Sequence, residues 1–386
     1  MNQTQRTRMD RREFIKFGAA GLFGLAATSA LSKGPLPGLL GVADAATPLT
    51  FNLSVSEAIV EMVDLTPVYM WLWDGEGMGP KFPGPVLLCT EGDAITVNVT
   101  NNLDEPHAFF IAGVADTGPI APAGTAQVQF TAPAAGTYLY QDNLNAPVNR
   151  VLGLHGVMVV KPAAGNTPYT TPTPMVQKLF DDFGTAPLFP GDAWDPGRDW
   201  LWVLGNIDPQ WHAMAQAGTP IDAAAFSANF LARYFSLNGK TGYWADIDPT
   251  IALQGHVGQP AFLRVVHPGM HMHALHWHAN HLYLTAENGV VRDNLWLMDA
   301  FLTMPGETYD VVYPFIKPPD APDEAWPPVE EQFPLTYPMH CHNEPSQTAG
   351  GGSYPHGLIA HISILGPGPG GPPVYPGQLP TLPVVP

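Results

Sequence analysis

Histidines that alternate with other residues at two places constrain the fold of this chain more than any other feature. At the first place His276 and His278 lie two residues apart, and at the second His340 and His342 flank Cys341. Because successive side chains of a β-strand point to opposite faces, residues two apart share a face. Each segment is therefore predicted to be a strand. The histidines would form one metal site on one face of a sheet, and Cys341 would point to a second site behind it.

The clustering of histidines indicates metal binding. Eight of the 14 histidines fall within residues 267–281 and 340–342. Such side chains are costly to bury without a partner, so a cluster of this kind is seldom only a hydrogen-bonded core. Nitrogen and sulfur donors together favour copper or zinc over magnesium or calcium. Three flanking histidines could donate hydrogen bonds to the ligands, but a structural role is favoured for each: His267, His271 and His281.

The amino-acid composition favours short strands joined by many turns. The 386 residues include 39 glycines and 43 prolines, but only 13% are charged. Strand-like segments recur through residues 49–160 and again through residues 200–364, in a similar order of parts. Helical periodicity is visible in the N-terminal segment and around Ala223–Tyr234. We therefore expect an all-β protein made of two tandem Greek-key β-sandwiches that arose by internal duplication.

The domain boundaries are predicted from changes in amino-acid composition along the chain. Residues 1–45 are predicted to be a twin-arginine export signal, since Arg11 and Arg12 precede an apolar run, Phe17–Leu31, and Ala43-Asp44-Ala45 offers a cleavage site. The first sandwich is assigned to residues 46–162, a Pro/Thr-rich linker to 163–174, the second sandwich to 175–365, and a Pro/Gly-rich tail to 366–386. Within the first sandwich, two strands are expected to pair around Glu91-Gly92-Asp93.

The signal and the charge bear on location and partners. The apolar run is short for a membrane span, so no membrane anchor is expected, and a twin-arginine signal would direct the protein to the periplasm or outside the cell. A net charge of −18 argues against nucleic acid as a partner. A disulfide between Cys89 and Cys341 is possible in an oxidising compartment. A ligand role for Cys341 and a buried, inert thiol at Cys89 are the favoured readings.

The two halves resemble the cupredoxin modules of multicopper oxidases, in particular two-domain laccase-like enzymes. The resemblance covers nearly all of residues 50–365 and rests on six segments: Gly84–Asp93, Val97–Leu103, Leu263–Val266, His273–His278, Met304–Thr308 and Met339–His342. It implies two cupredoxin-like sandwiches, one to three copper ions and an oxidoreductase activity.

The resemblance also implies roles for individual residues. His273 and Cys341 correspond to two ligands of the family's type 1 copper, which takes electrons from a reductant, and His356 could complete that site through a different loop path. Four others correspond to the C-terminal half of the family's three-copper cluster, where dioxygen is reduced: His276, His278, His340 and His342. Since Cys341 lies between two of them, Cys341, His340 and His342 are the predicted catalytic residues that link the two sites.

The chain departs from the family's pattern in both halves. The N-terminal module of the family supplies four further histidines to the cluster, and the matching positions here hold Phe110, Ala112, Gln141 and Asn143. In the family, three residues follow the Cys-His pair, and a further histidine ligand comes next, before a glycine. Counted back from Gly357, that histidine position falls on Ser353. In the related copper nitrite reductases the type 1 cysteine lies in the first module, where this chain has Asp142. An incomplete or altered copper cluster is therefore expected.

Two functions remain open at this point. The first is an exported copper-dependent oxidoreductase that oxidises a phenol-like, amine-like or metal-ion reductant with dioxygen as the acceptor. The alternative is a non-catalytic copper- or zinc-binding protein of the cell envelope that handles metal. By analogy with two-domain relatives, the protein could assemble as a homotrimer.

Overall fold

Short strands build most of this protein. The computed structural model describes residues 39–40, 48–184, 194–278, 280–316, 333–366 and 368. All of them belong to one compact unit, Pro35–Pro386. Most of the predicted signal, most of the Pro-rich segment 318–334 and most of the predicted tail lie outside the described residues. Two residues of the predicted signal are described, Leu39 and Leu40, which pair in parallel with Val86 and Leu87.

Eleven strands of the first half form two sheets. One sheet has the order β1-β5-β11-β10-β7-β8 and the other β4-β3-β2-β6-β9. The strands are β1 (Leu39–Leu40), β2 (Leu49–Glu61), β3 (Pro67–Gly75), β4 (Pro80–Lys81), β5 (Val86–Thr90), β6 (Ala94–Asn101), β7 (Phe110–Ile111), β8 (Ala115–Asp116), β9 (Thr125–Thr131), β10 (Gly136–Gln141) and β11 (His155–Lys161).

Eleven strands of the second half form two more sheets. Their orders are β13-β12-β15-β20-β17-β18 and β14-β22-β21-β16-β19. The strands are β12 (Asp199–Ile207), β13 (Tyr234–Leu237), β14 (Leu253–Gly255), β15 (Ala261–Val266), β16 (His273–Trp277), β17 (Leu282–Glu287), β18 (Val290–Met298), β19 (Ala300–Thr303), β20 (Thr308–Tyr313), β21 (Leu335–Cys341) and β22 (Ile359–Ile364). The all-β prediction is confirmed.

The expected pairing around Glu91-Gly92-Asp93 is wrong. β5 pairs with β11, whereas β6 pairs with β2 and β9 in the other sheet. The turn therefore carries the chain from one layer of the sandwich to the other. The side chains explain this, because Val86–Cys89 is a continuous buried run, typical of a strand that is covered on both faces, while β6 alternates buried and half-buried residues.

Short helices connect the strands. They are α1 (Val148–Val151), α2 (Pro174–Gly184), α3 (Pro209–Gln216), α4 (Ala223–Asn229) and α5 (Tyr243–Asp246), with 3-10 turns at Pro196–Arg198 and Glu344–Gln347. α2 begins where the predicted linker ends and was not predicted as a helix. In the described part of the chain, no helix has the length and hydrophobicity of a membrane span.

The two strand sets pack through an apolar layer. Valines of β5 and β11 contact aliphatic side chains of β12 and β15, and all are buried: Val86, Leu88, Val157, Val159, Leu201, Val203 and Val266. This layer covers the face of β12 that carries Leu201 and Val203, and the main core covers the other face, so all nine residues of the strand are buried. The sheet that contains β16 and β21 belongs to the second half, and one of its faces carries the histidines.

Candidate metal centre

Strand register places the histidines of two segments side by side. β16 and β21 are antiparallel neighbours, with Leu275 opposite Cys341 and His276 opposite His340. Side chains at directly opposite positions lie on the same face and in contact. The alternation in each strand then adds His278 and His342 to that face, which we call the imidazole face.

Three ligand atoms of the imidazole face come together. Nitrogens of His276, His278 and His340 all lie within 4.8 Å of one another, and Nε2 of His278 is 3.1 Å from Nε2 of His340. Nδ1 of His276 is buried and has no hydrogen-bond partner. A buried, unpartnered imidazole nitrogen is costly, and a bound metal ion would satisfy it. This donor set fits the copper or zinc predicted from the sequence.

His342 and Asp299 lie at the edge of this group. The His342 ring is 4.7 Å from the His276 ring and 5.1 Å from the His340 ring, measured between centroids. His342 is more exposed than the other three, and it lies outside the group of three. Asp299, which sequence reasoning missed, places Oδ2 3.4 Å from Nε2 of His276. It is positioned because the backbone of Trp277 pairs with that of Asp299.

The electrostatics of the imidazole face favour metal binding. Partial burial lowers the pKa of His276 and His278, and each is lowered further by the other imidazoles nearby. Both rings are therefore neutral over a wider pH range than a free imidazole. Neutral imidazole is the form that binds a metal ion, so these two ligands compete little with protons near neutral pH.

Cys341 and His273 lie on the opposite face of the same sheet, as the alternation predicts. Sγ of Cys341 is 3.6 Å from Nδ1 of His273, and the backbone N–H of Asn343 donates to the sulfur at 3.4 Å. Both side chains are fully buried. Burial raises the pKa of the Cys341 thiol and lowers the pKa of His273 to about 3, so both groups are neutral near neutral pH.

His356, which the resemblance suggested as a further ligand of this pair, does not group with it in the structure. Among the described residues, the one group of three or more ligand atoms within 4.8 Å is that of the imidazole face, and it contains none of His273, Cys341 and His356. His356 instead packs against Gly242, where an added Cβ would lie 2.9 Å from its Nδ1. The predicted six-residue metal set therefore separates into three grouped ligands, His342 beside them, and a Cys–His pair behind the strand.

Counted forward from His342, the family's third ligand position of this pair falls on Ser346. Ser346 is fully buried, and its hydroxyl donates to the carbonyl oxygen of Asn343 at 2.6 Å. Ser353, the position counted back from Gly357, is exposed. The position that the family's spacing gives after the Cys-His pair therefore holds a buried serine.

The N-terminal half brings no histidine to the matching positions. Gln141 and Phe110 are opposite each other in β10 and β7. Nearby, Nδ1 of His107 is 2.7 Å from a carboxylate oxygen of Asp142, and Asn149 donates to the same oxygen at 3.0 Å. A buried hydrogen-bonded cluster therefore stands where the nitrite reductase comparison would place a copper ligand.

The two cysteines are both free and buried. Burial raises the pKa of the Cys89 thiol to about 12, and its Sγ lies 3.9 Å from the carbonyl oxygen of Val159. Such a thiol is inert, as predicted. No disulfide joins it to Cys341.

Comparison with known proteins supports the resemblance stated from the sequence. The multicopper oxidase family model matches residues 60–165. The multicopper oxidase MmcO of Mycobacterium tuberculosis is 31% identical over 158 residues, which cover 36% of this chain and 30% of that protein. A copper resistance protein A homolog of Pseudomonas syringae is 30% identical over 172 residues, which cover 40% and 27%. This chain thus spans less than half the length of the relatives it matches.

Solved structures share the fold. The crystal structure of a blue copper oxidase from Nitrosomonas europaea superposes with a TM-score of 0.61 at 21% identity, covering 82% of this chain and 85% of that one. A copper nitrite reductase from the same organism superposes with a TM-score of 0.54 at 18% identity, covering 82% and 94%. At these identities the likeness shows the two-sandwich architecture.

Proposed function

We propose that the chain is an exported copper-dependent oxidoreductase with an altered copper site, because it shares the two-sandwich fold of multicopper oxidases and part of it matches their family model. The copper would be held by His276, His278 and His340, with His342 as a fourth imidazole close by. A small reductant, either phenol-like, amine-like or a metal ion, would be oxidised, and dioxygen would accept the electrons.

One observation carries this proposal: three imidazole nitrogens meet within 4.8 Å on a partly exposed face of the sheet. Three protein ligands with an open position are the arrangement of a catalytic rather than a structural metal site. The side chain of His276 is 19% exposed, so the ion would be reached from solvent. This argues for a reductant that approaches the imidazole face directly.

The chemistry follows from the number of ligands. When bound, copper supplies one-electron redox chemistry by alternating between its +2 and +1 states. The three histidines would hold the ion, and small molecules would reach it from the solvent side. Two reductant molecules each lose one electron. These two electrons, together with two protons, convert one O2 into one H2O2. We therefore expect peroxide as the oxygen product, since the chain lacks the four further histidines of the family's cluster.

The first prediction concerns copper content and oxygen consumption. The protein should bind one copper ion per chain at the imidazole face and consume oxygen with a phenolic reductant, forming one peroxide per oxygen. His278→Ala should lose the bound copper and the oxygen uptake together. Metal analysis and an oxygen electrode measure both, with a catalase-sensitive assay for peroxide.

The control for this experiment is His361→Ala. His361 is partly exposed, pairs with Asp246 and lies outside the group of three, so its replacement should change neither value. If the wild-type protein holds one ion tightly but shows no oxygen uptake with phenols, aromatic amines or Fe(II), the proposal fails and metal handling becomes the function. If His278→Ala retains full copper content, the assignment of the site fails.

Export belongs to the same proposal. The Arg11-Arg12 pair and the apolar run after it support a twin-arginine route to the periplasm, which delivers proteins already folded. Replacing Arg11 and Arg12 by lysine should keep the full-length protein in the cytoplasm, measured by fractionation. The homotrimer expected by analogy is tested by sedimentation of the copper-loaded protein.

A further inference from the structure

Asn206 contacts the buried imidazole behind the imidazole face. It lies at the end of β12 and is 2% exposed. Its side-chain nitrogen, Nδ2, is 2.9 Å from Nε2 of His273, on the side of the ring away from Cys341. The group that meets Nε2 decides which ring nitrogen carries the proton, and hence which nitrogen can bind a metal ion.

The amide of Asn206 is fixed in one orientation by its other neighbours. Its oxygen, Oδ1, accepts the backbone N–H of Met270 at 2.7 Å and that of His271 at 2.8 Å. Its nitrogen also donates to the carbonyl oxygen of Gly205 at 3.1 Å. A flip of the amide would aim two backbone N–H groups at an NH2 group. Asn206 therefore presents a donor to His273, and Nε2 of that ring must accept.

The accepting role of Nε2 determines the tautomer. A neutral imidazole has one protonated nitrogen, so the proton of His273 is on Nδ1. Nδ1 is the nitrogen that faces Sγ of Cys341 at 3.6 Å. A metal ion shared by Cys341 and His273 would need that nitrogen free and the proton on Nε2. The N–H of Nε2 would then point at the NH2 group of Asn206, two donors face to face in a buried site.

The ring is also held in place. His273 is fully buried, with the Phe235 ring edge-on at 5.8 Å and the His267 ring at 4.9 Å, measured between centroids. Among the described residues, no second imidazole joins Cys341 and His273 in a group of three ligand atoms within 4.8 Å. Thus both the proton position and the ligand count disagree with a copper–thiolate site.

We propose that Asn206 excludes copper from Cys341 by holding His273 with its proton on Nδ1, so that this protein contains no copper–thiolate centre. The Cys–His pair is then a packed element of the core, and copper binds on the imidazole face alone. This inference concerns the inner face of the sheet and holds whether or not the imidazole face is catalytic.

Nitrogen NMR of the full-length protein tests the tautomer directly. Selectively labelled histidine should show His273 with a protonated Nδ1 and an unprotonated Nε2, assigned by comparison with His273→Gln. Asn206→Asp keeps an oxygen for the two backbone N–H groups but replaces the donor by an acceptor. In that variant the proton should move to Nε2. A wild-type spectrum with the proton on Nε2 would overturn the proposal.

Visible absorption after addition of Cu(II) tests the consequence. Wild-type protein should show no intense copper–thiolate band. Ser346→His alone, which adds an imidazole but leaves Asn206, should also show none, whereas Asn206→Asp combined with Ser346→His should gain the band and lose it again with Cys341→Ser. Asn102→Asp adds the same charge at an exposed asparagine and should gain nothing.

The outcomes separate clearly. A band in the wild type, or in Ser346→His alone, would show that Asn206 does not block the site. A folded Asn206→Asp, Ser346→His protein without a band would equally contradict the proposal. Because the larger side chain could impair folding, Asn206→Asp alone is followed by NMR as well, and its tautomer decides the question independently of copper.

Discussion

At the scale of single residues, the aspartate at the edge of the imidazole face lies within ion-pair distance of one ligand. Oδ2 of Asp299 is 3.4 Å from Nε2 of His276, which leaves Nδ1 of that ring buried and unpartnered. A carboxylate that accepts from one ring nitrogen directs the other toward a metal ion and increases its basicity. Asp299 is 53% exposed, so the effect should be at the lower end of what such contacts give.

We therefore predict that Asp299→Asn weakens copper binding by about tenfold without abolishing it. The measurement is a competition titration of copper against a chelator at neutral pH. Asp293→Asn removes the same charge from an exposed position of β18 and should leave the affinity unchanged. Equal losses in both variants would mean that only net charge matters, and the orienting role would be wrong.

The residues of the site divide into those that the sequence reveals and those that it does not. His276, His278, His340 and His342 share a face because strand geometry alone dictates it. Asn206 is 67 positions from His273 in the chain, and only the pairing of distant strands brings them into contact. Nothing in the local sequence marks Asn206 as the residue that sets a tautomer.

At the scale of elements, helix α3 carries a titrating group into the core. His212 is 1% exposed, and its Nδ1 is 2.7 Å from the carbonyl oxygen of Tyr69 in β3, to which it donates. Burial lowers the pKa of His212 from 6.5 to about 4. In the unfolded chain the ring takes up a proton at a higher pH than in the folded protein. The free energy of unfolding is therefore highest above the unfolded pKa and falls as the pH drops from about 6.5 toward 4.

His212→Asn should reduce this pH dependence. Asparagine can still donate to Tyr69 but does not titrate, so the loss of unfolding free energy between about pH 7.5 and about pH 5.5 should be smaller by about 1 kcal/mol than in the wild type. Urea denaturation at the two pH values measures it. Gln210→Asn, a non-titrating change on the same helix, should keep the wild-type difference. An unchanged pH dependence in His212→Asn would contradict the assignment.

Most elements could be predicted because their patterns are local. Strand-like segments were expected from residue 49 onward, where β2 begins, whereas β5 and β6 were expected to pair and do not. A short turn has the same sequence pattern whether it joins two neighbouring strands of one sheet or connects the two layers of a sandwich. α2 was missed although Val176, Leu179, Phe180 and Phe183 have helical spacing and are buried, because prolines and threonines before it favoured a linker.

At the scale of the whole molecule, a buried polar network joins the two strand sets. Arg264 of β15 is fully buried, donates to both oxygens of Asp199 in β12, and donates to the hydroxyl of Thr137 in β10 at 2.9 Å. Thr137 in turn donates to Asp310 of β20 at 2.8 Å. Burial by itself would lower the pKa of the Arg264 guanidinium, but the nearby carboxylates of Asp199 and Asp310 raise it. The guanidinium therefore stays charged. Thr137 is the one contribution of the first half to these bonds.

Thr137→Val should therefore lower the free energy of unfolding by about 1–3 kcal/mol, because it leaves a buried donor of Arg264 and an acceptor of Asp310 unsatisfied at nearly constant volume. Equilibrium denaturation measures the loss. Thr125→Val makes the same change at an exposed position of β9 and should stay within about 0.5 kcal/mol of the wild type. A loss no larger than in this control would show that the network does not join the halves.

The arrangement of the whole molecule was the part least visible in the sequence. Two sandwiches were expected from the repeat of parts, and the sheets divide between residues 39–161 and 199–364. The apolar layer between the two halves was not expected. A strand that packs against the other half and a strand that is buried within its own sandwich show the same run of apolar residues. Val157 and Val203 meet only because the folded halves do.

That shared layer has a consequence for how such a chain can change over generations. Replacing one half by that of another protein, or separating the two halves, would expose the aliphatic layer to solvent. It would also remove the contact between the Arg264 guanidinium and Thr137. The half that brings no histidine to the imidazole face thus still serves as a scaffold for the half that does.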